Sequence, residues 1–319
     1  VVFLMKFTVV IPLYNKEDHI LRAINSVLNQ THKEFELIVV DDGSTDSSVK
    51  KVKTFSDSRI RLVQQDNQGV SSARNKGIKL AKYDHIGFLD ADDAWKPHFL
   101  ETISKLIVKY PYAGAYATAY EIVKSSSKTV LPKSILNFEK NWEGIIDDYF
   151  KYALKNPLIS ASSVVIPKKI LNDIGMFPVG IKRGEDLEVW CKIALNYDIA
   201  FSNKVSATYF LDANKRACNR KIILTETFSN KAEDILLKGK MAQNYSFYFE
   251  EYMINRLITK SKLYIEANMN KEARKLLCKY KYTRLNRKAL IKTYVLSFIP
   301  KNMRNMLVNF RKTFRNEDC

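Results

Sequence analysis

Acidic residues directly follow two apolar runs of this sequence. Asp41 and Asp42 come after residues 37–40, and the cluster Asp90-Ala91-Asp92-Asp93 comes after residues 86–89. Such runs are typical of buried strands in a parallel sheet, and open α/β sheets bind ligands at the carboxyl ends of their strands. Because acids gathered at one edge repel each other, a cation is expected among them. The spacing therefore predicts a divalent metal ion and a phosphate-bearing ligand.

Strand and helix patterns alternate up to residue 110, and this alternation positions both acidic clusters. A strand at 7–11 precedes a helix whose apolar face carries Ile20, Ile24, Val27 and Leu28. The pattern predicts further strands at 35–40, 59–63 and 84–89, and helices that end near residues 55, 81 and 110. This order predicts an α/β fold with a mostly parallel, doubly wound sheet.

The alternation of strand and helix changes from residue 115. Strand-like runs at 115–123, 159–166 and 206–211 are interspersed with helical stretches near 145–154 and 186–197. After about residue 220 only helical patterns remain, at 235–237, 245–265, 271–280 and 285–299. We therefore expect a C-terminal helical region that begins near 215–225.

The chain has 319 residues and a formal net charge of +18, concentrated towards the C-terminus. Residues 253–319 contain seventeen Lys and Arg against four Asp and Glu. Such a region can bind anionic lipid, acidic substrates or nucleic acid. Because no nucleic-acid motif accompanies the charge, no nucleic acid is expected.

No stretch approaches the roughly 20 apolar residues that cross a bilayer. The four cysteines form no C-x-x-C pair, which favours reduced thiols in the cytoplasm.

Five local motifs occur together in a characteristic order. They are Pro12-x-Tyr14-Asn15, Asp41-Asp42-Gly43-Ser44, Gln68-Gly69 with Ala73-Arg74-Asn75, Asp90-Ala91-Asp92 and Gly184-Glu185-Asp186. Over residues 5–215 the chain thereby resembles the family-2 glycosyltransferases. The resemblance implies the nucleotide-diphospho-sugar-transferase (GT-A) fold. It implies a catalytic domain at 5–218, with a nucleotide-binding half at about 5–112 and an acceptor half at about 113–218, before a basic helical region at 219–319.

The resemblance implies a site for a UDP-sugar. The residues expected to contact the nucleotide are Pro12, Tyr14, Asn15, Asp42, Asn67, Arg74 and Asp90. A carboxylate such as that of Asp42 can accept the imide N–H of uracil, which neutral cytosine lacks. Arg74 follows a helix start, where it could reach a ribose or a phosphate. Two plainer interpretations remain: Asp41-Asp42-Gly43-Ser44 as a turn with a helix cap, and Arg74 as an exposed helix residue.

The motif Asp90-Ala91-Asp92 resembles the metal site of the family. Asp92 is expected to bind Mn²⁺ or Mg²⁺ directly, with Asp90 and Asp93 in support, because oxygen ligands suit these ions. A solvated acidic turn is the alternative. Residues 209–216 lack the histidine that many members place near the metal, so Asp212 or a basic residue, Lys215 or Arg216, would act near the diphosphate.

The motif Gly184-Glu185-Asp186 begins a helix and is expected to serve the acceptor. Asp186 is predicted to be the general base that deprotonates the acceptor hydroxyl, with Glu185 as the alternative. Trp190, one turn further on, and Glu188 are the predicted acceptor contacts. A carboxylate beside apolar groups has a raised pKa, which suits a base. The competing interpretation is that these acids only stabilise the first helical turn.

Taken together, the motifs predict an inverting, metal-dependent transferase that moves a hexose or N-acetylhexosamine to a lipid-linked or cell-surface glycan. Its expected location is cytoplasmic, at the inner face of a bacterial plasma membrane. There the basic helix at 285–299 would meet anionic lipid, or else would simply pack on the catalytic domain. A sugar-phosphate nucleotidyltransferase would need a Gly-rich loop at 12–15, which is missing. A non-catalytic, basic membrane- or nucleic-acid-binding protein on this fold would be expected to lose the acids.

Overall fold

The computed structural model describes residues 5–125, 128–136, 138–154, 156–212, 227–241 and 246–304. The chain divides into two compact units, residues 1–220 and 221–319. The strands of the described residues are β1 (Phe7–Leu13), β2 (Phe35–Asp42), β3 (Ile60–Gln65), β4 (His85–Phe88), β5 (Ala94–Trp95), β6 (Ala115–Ser125), β7 (Lys128–Val130), β8 (Glu143–Ile145), β9 (Val164–Pro167) and β10 (Ile199–Phe210). The helices are α1 (Ile20–Leu28), α2 (Ser48–Val52), α3 (Val70–Leu80), α4 (Phe99–Lys109), α5 (Tyr149–Ala153), α6 (Lys168–Asp173), α7 (Glu185–Asn196), α8 (Ala232–Met241), α9 (Phe247–Glu266), α10 (Asn270–Lys279) and α11 (Arg287–Leu296).

The first unit is built on one mixed sheet with the strand order β3-β2-β1-β4-β9-β6-β10-β5, to which β7 and β8 add at the side. β1 to β4 are parallel, as the alternation of strand and helix predicted. β9 lies antiparallel between β4 and β6, and β10 is parallel to β6. The carboxyl ends of β1, β2, β3, β4, β6 and β10 therefore lie at the same edge. The predicted α/β fold is confirmed.

The strand predicted at 159–166 is shorter than its apolar pattern suggested. A single 3₁₀ turn, Ala161–Ser163, occupies its first part, and β9 begins at Val164. Ser160 stabilises the turn by accepting the backbone N–H of Ser162 on its side chain at 3.3 Å. Serine favours such local hydrogen bonds over strand pairing. The turn places Ser162 beside the end of β4, where it contacts the second acidic cluster.

Helices α1 and α3 hold the first strands in place. On the apolar face of α1, Ile20, Ile24 and Val27 are fully buried, as the periodicity predicted, and Leu28 is partly buried. α3 lies so close to β1 that a Cβ atom at Gly77 would clash with Val10. Because α3 directly follows β3, it begins at the carboxyl edge of the sheet. Arg74, in its second turn, is therefore near the acids.

The second unit contains α8 to α11. Ile254 and Ile258 of α9 pack with Leu277 of α10 and Leu290 of α11. The buried carboxylate of Glu251 accepts hydrogen bonds from the loop before α11, including the Thr283 hydroxyl at 2.6 Å. This unit thus has an apolar core of its own. No helix in the described part of the chain is both long and apolar enough to span a bilayer.

Candidate active site

The register of the first strands brings both acidic clusters to one edge. Leu13 at the end of β1 is paired with Asp41 of β2, and Asp42 is paired with Gln65 of β3. On the other side of β1, β4 ends at Phe88, and residues 90–93 follow directly. The strand ends therefore form one acidic edge.

Asp42 is buried, and neutral donors surround its carboxylate. Its Oδ1 accepts the side-chain amide of Gln65 at 2.7 Å and the backbone N–H of Gln68 at 2.9 Å. Its Oδ2 accepts the backbone N–H of Gly69 at 2.8 Å. Gly69 has a positive φ of 91°, which glycine adopts readily. Asp42 thus fixes the loop that leads into α3.

The turns after β1 and β2 lie against each other. Asn15, which has a φ of 51°, donates its backbone N–H to Ser44 Oγ at 3.0 Å. Its own side chain accepts the backbone N–H of Thr45 at 2.8 Å. Tyr14 is partly exposed, whereas Pro12 is buried within β1. Of this predicted nucleotide-binding turn, Tyr14 and Asn15 therefore remain accessible.

Asn67 is exposed and lies over the turn at Gly43. A Cβ atom at Gly43 would come within 3.0 Å of the Asn67 backbone nitrogen, and Gly43 also has a positive φ of 75°. A larger residue at this position would push the loop of Asn67 away. The predicted nucleotide contacts Asn67, Asp42 and Asn15 thus lie on adjoining turns at the carboxyl edge.

Arg74 joins the second acidic cluster to α7. Its guanidinium donates to Asp90 Oδ1 at 2.8 Å and to Glu185 Oε1 at 3.0 Å, while its side chain is only 3% exposed. It also lies over the ring of Phe177, 5.0 Å from the centroid. Burial alone would lower the pKa of Arg74, but the charges of Asp90 and Glu185 raise it above its ordinary value. Arg74 is therefore a buried, permanently charged bridge and not an exposed helix residue.

Asp186 lies next to this bridge at the start of α7. Gly184 precedes the helix in a left-handed conformation with φ of 78°. Burial raises the pKa of Asp186 to about 7, the neighbouring charge of Glu185 adds to this, and Arg74 opposes it. The side chain remains partly accessible. A carboxyl group with this pKa can accept a proton near neutral pH.

Asp92 is paired with a lysine that the motifs did not indicate. Lys16 Nζ lies 2.6 Å from Asp92 Oδ2, and both side chains are 15% exposed. Arg22 donates to the backbone carbonyl of Asp92 at 2.5 Å and also forms an ion pair with Asp212 at 3.1 Å. Asp92 and Asp212 are thus held near each other through one guanidinium.

The carboxylates of Asp90 and Asp92 have the chemistry of ligands for a divalent metal. Their hard oxygens suit Mn²⁺ and Mg²⁺, and both groups keep partial access to solvent. Within the described ranges, no group of three or more His, Cys, Asp or Glu side chains is arranged to hold a metal. The two residues therefore fit an ion that takes most of its ligands from substrate phosphates and water, as Mg²⁺ commonly does.

Asp93 has a structural position. It is fully buried, accepts the Ser162 hydroxyl at 2.5 Å and the backbone N–H of Phe210 at 3.2 Å. Burial, followed by the charges of Asp90 and Asp92, holds the pKa of Asp93 well above its ordinary range. Asp93 therefore joins the ends of β4 and β10 and does not point outward with its neighbours as a supporting metal contact.

Trp190 and Glu188 do not line an exposed part of the site. Trp190 is fully buried, and its ring meets that of Phe177 edge to face at 6.4 Å. Glu188 is 3% exposed and forms an ion pair with Lys192 at 3.1 Å. α7 therefore directs both side chains into the protein, which argues against the predicted acceptor contacts.

Three residues that hold the site were missed in the sequence. Lys16 pairs with Asp92, and Ser162 links Asp93 to the backbone N–H of Asp90. Asn75 exchanges two hydrogen bonds with the backbone of Phe177, at 2.8 and 2.9 Å. For Asn75 a signal was present, because it adjoins Arg74 in a recognised motif. The predicted alternatives Lys215 and Arg216 lie outside the described residues.

Comparison with known proteins identifies the family of this arrangement. A sequence model of the family described as glycosyl transferase family 2 matches residues 8–175, which is more than half of the chain. The glycosyltransferase GlyA of Streptococcus pneumoniae is 38% identical over 122 residues, which cover 38% of this chain and 18% of GlyA. The chain thus spans only a small part of that longer relative.

Two further matches cover more of the similar protein's own length. The UDP-Glc:alpha-D-GlcNAc-diphosphoundecaprenol beta-1,3-glucosyltransferase WfgD of Escherichia coli is 34% identical over 200 residues, covering 61% of this chain and 72% of WfgD. The crystal structure of S. aureus TarS 1-349 in complex with UDP-GlcNAc superposes with a TM-score of 0.64 at 20% identity, covering 91% of this chain and 89% of that one. At this identity the TarS match establishes a shared fold.

Proposed function

The chain belongs to glycosyltransferase family 2 and is a glycosyltransferase, and from this premise we propose that it transfers a hexose or N-acetylhexosamine from a UDP-sugar to a glycan hydroxyl. The observation that carries the proposal is the Arg74 bridge from Asp90 to Glu185. Through this bridge Asp90, the acid proposed to face the donor diphosphate, lies close to Glu185, the neighbour of the proposed base Asp186. A single transfer reaction needs both groups in one site.

The donor is proposed to be a uridine nucleotide bound by the turns after β1 and β2. Asp42 has about four lone-pair sites and accepts three hydrogen bonds within the protein, two of them on Oδ1. Its Oδ2 can therefore accept one more donor, such as the imide N–H of uracil. Tyr14, Asn15 and Asn67 adjoin this position and would contact the base and ribose. The structural neighbour TarS was solved with UDP-GlcNAc.

The diphosphate is proposed to lie between Asp90, Asp92 and their cationic partners. Asp92, with Asp90, would hold a Mn²⁺ or Mg²⁺ ion. The bound ion would neutralise charge on the departing diphosphate. Lys16, freed from Asp92 by the ion, would be within reach of a phosphate oxygen. Arg74 would keep Asp90 oriented, because its other contact is fixed on α7.

The acceptor step is proposed to use Asp186 as the general base. The acceptor hydroxyl gives its proton to the Asp186 carboxylate as its oxygen forms a bond to the anomeric carbon. The bond from that carbon to the diphosphate oxygen breaks in the same step, and UDP leaves with the bonding electron pair. A single displacement of this kind inverts the configuration. The pKa of about 7 keeps a large fraction of Asp186 ionised at neutral pH.

The acceptor is proposed to be a lipid-linked or cell-surface glycan of a bacterium. WfgD is named for a diphosphoundecaprenol-linked acceptor, and it shares 34% identity with this chain over 200 residues. An enzyme with such an acceptor works at the membrane surface. We extend the proposal to a peripheral location at the inner face of the membrane, with residues 5–218 as catalytic domain and 219–319 as basic helical region.

A thermal-shift series tests the donor and metal assignments together. The full chain is melted with UDP, GDP and CDP, each with and without Mn²⁺. We expect the largest increase in Tm with UDP and Mn²⁺ together. The nucleotide phosphates would supply ligands to the ion, and the ion would in turn strengthen binding of the nucleotide. Equal shifts with all three nucleotides would contradict the uracil assignment. A UDP shift that does not change on adding Mn²⁺ or Mg²⁺ would contradict the metal assignment.

A further inference from the structure

The helix α11 has two faces of different character. Its inner face carries Leu290, which packs with residues of α9 and α10, and Thr293 and Ser297 on the same side are buried as well. This face explains how the helix is held in the second unit. Simple packing therefore accounts for one side of the helix and leaves the other side to be explained.

The outer face of α11 consists of Lys288, Ile291, Lys292, Val295 and Phe298. Their spacing places them on one side of the helix and of the turn that follows it. Ile291, Val295 and Phe298 are 52%, 55% and 61% exposed. Isolated exposed apolar residues need no explanation, but three on successive turns form a continuous stripe.

The part of the sequence that carries this stripe is strongly basic. Between residues 273 and 304 the sequence contains ten Lys and Arg and no Asp or Glu. Lys288 and Lys292 lie beside Ile291 and are exposed. The pKa of Lys262, on neighbouring α9, is lowered by burial and then by the charges of Lys292 and Arg256. Lys262 and Lys292 therefore repel each other, although the charge of Glu266 partly offsets this, and an anionic partner would relieve the repulsion.

We propose that the outer face of α11 docks on the surface of an anionic phospholipid bilayer. Aliphatic side chains between lysines match the boundary between headgroups and acyl chains, where apolar groups insert and cations meet lipid phosphates. Nucleic acid would satisfy the charges but would leave Ile291 and Val295 in water. A second copy of the chain would bring like charges together. Docking by this face does not depend on which sugar or acceptor the enzyme uses.

Vesicle binding by the full chain tests this proposal. Co-sedimentation is measured with phosphatidylcholine vesicles that contain or lack phosphatidylglycerol, at low and high salt. We expect at least about tenfold tighter binding to the anionic vesicles, weakened by salt. The double variant Lys288→Gln/Lys292→Gln should lose about twentyfold in affinity, since each cation near an anionic surface contributes roughly fivefold.

A second variant separates the apolar contribution from the charge. Ile291→Ser/Val295→Ser/Phe298→Ser keeps every lysine and should lose at least about tenfold in vesicle affinity, because its side chains no longer insert. The matched control Lys50→Gln/Lys53→Gln removes two exposed cations from the first unit and should bind within about twofold of wild type. The Tm of each variant and its shift with UDP report whether the fold and the donor site are intact.

Several outcomes would overturn the docking proposal. Equal binding to neutral and anionic vesicles, or unchanged binding by both outer-face variants, would remove its basis. Binding of an RNA oligonucleotide that depends on Lys288 and Lys292, without vesicle binding, would assign the face to nucleic acid. Dimerisation that the triple serine variant abolishes would assign it to a second copy. A normal UDP shift in all variants would leave the catalytic proposal standing in each case.

Discussion

The two acidic clusters occupy the same sheet edge but are neutralised in different ways. Asp42 accepts amide N–H groups from the end of β3 and from the loop that it fixes. Asp90 and Asp92 are instead paired with the side-chain cations Arg74 and Lys16. Backbone amides cannot leave without unfolding the loop, whereas a lysine side chain can rotate away. The first cluster is therefore a scaffold for its loop, whereas the second cluster holds charges that can exchange partners.

Asp186 belongs with the second of the two acidic clusters. It adjoins the second cluster through Glu185 and Arg74, and its pKa of about 7 reflects burial and the Glu185 charge. Substitutions in the second cluster should therefore change chemistry and metal binding more than stability. Substitutions in the first cluster should change stability first. The predictions below test this separation.

The largest effect is expected for Asp186→Asn. Loss of the general base should lower kcat by about a thousandfold, while the UDP-induced shift in Tm stays as in wild type. The reaction is followed by UDP release in the presence of acceptor. Asp84→Asn, an exposed acid at the opposite end of β4, is the control and should retain full turnover. Turnover within about tenfold of wild type would show that Asp186 is not the base.

Asp92→Asn should primarily affect the metal. We expect Mn²⁺ affinity to fall by at least about tenfold, measured by paramagnetic resonance of free Mn²⁺ in the presence of UDP. The free energy of unfolding should fall by less than it does for Asp42→Ala, because the amide oxygen of the new asparagine can still accept a hydrogen bond from the Lys16 ammonium group. Unchanged Mn²⁺ affinity would place the ion elsewhere and would remove the difference between the two clusters.

Asp42→Ala should destabilise the protein. The substitution removes a buried carboxylate that accepts three hydrogen bonds, from Gln65, Gln68 and Gly69, so we expect a loss of about 2–3 kcal/mol in the free energy of unfolding. Urea unfolding measures this loss, with Asp92→Ala as the matched variant in the other cluster. If Asp92→Ala proves the more destabilising of the two, the scaffold role of Asp42 is wrong.

The pH dependence of turnover should report the pKa of Asp186. Because the base acts only when deprotonated, kcat/KM should rise with pH and level off above about 7, falling tenfold per pH unit below it. Glu185→Gln removes a negative charge that favours protonation of Asp186. The midpoint of the rise should therefore move to lower pH while activity persists. An inactive Glu185→Gln enzyme with normal UDP binding would make Glu185 the base.

The smallest effect is expected for Lys16→Met. Without the competing ammonium group, Mn²⁺ should bind about fivefold more tightly in the absence of nucleotide, since a partly exposed ion pair contributes up to about 1 kcal/mol. Lys16→Arg retains the charge and serves as the control. Weaker Mn²⁺ binding to Lys16→Met would contradict a competition between lysine and metal for Asp92.

Local patterns in the sequence predicted much of the fold. Parallel β1 to β4 followed from apolar runs and from amphipathic helices between them, and the acids were assigned correctly to strand ends. The antiparallel direction of β9 could not be predicted, because an apolar run has the same pattern in both directions. The turn that shortens β9 depends on hydrogen bonds of Ser160 that also have no strong local signal.

Some features of the candidate site could likewise be predicted from local sequence, and others could not. The five motifs, and with them the family, are local in sequence and needed no coordinates. Trp190 was expected on the core face of its helix and is buried there, whereas the burial of Glu188 could not be predicted, because it depends on what packs against the helix. Lys16 is separated by 76 positions from its partner Asp92, so no local pattern connects them.

By itself, the sequence determined which acids stand at strand ends, because strand patterns and turn residues are set by neighbours along the chain. Only the tertiary structure decided which acids remain available for chemistry. The loop of Gln68 and Gly69 folds back to satisfy Asp42, while the ends of β4 and β10 enclose Asp93. Asp90 and Asp92 keep partial access to solvent and hold side-chain cations. The physical reason is that burial and pairing arise from segments far apart in sequence.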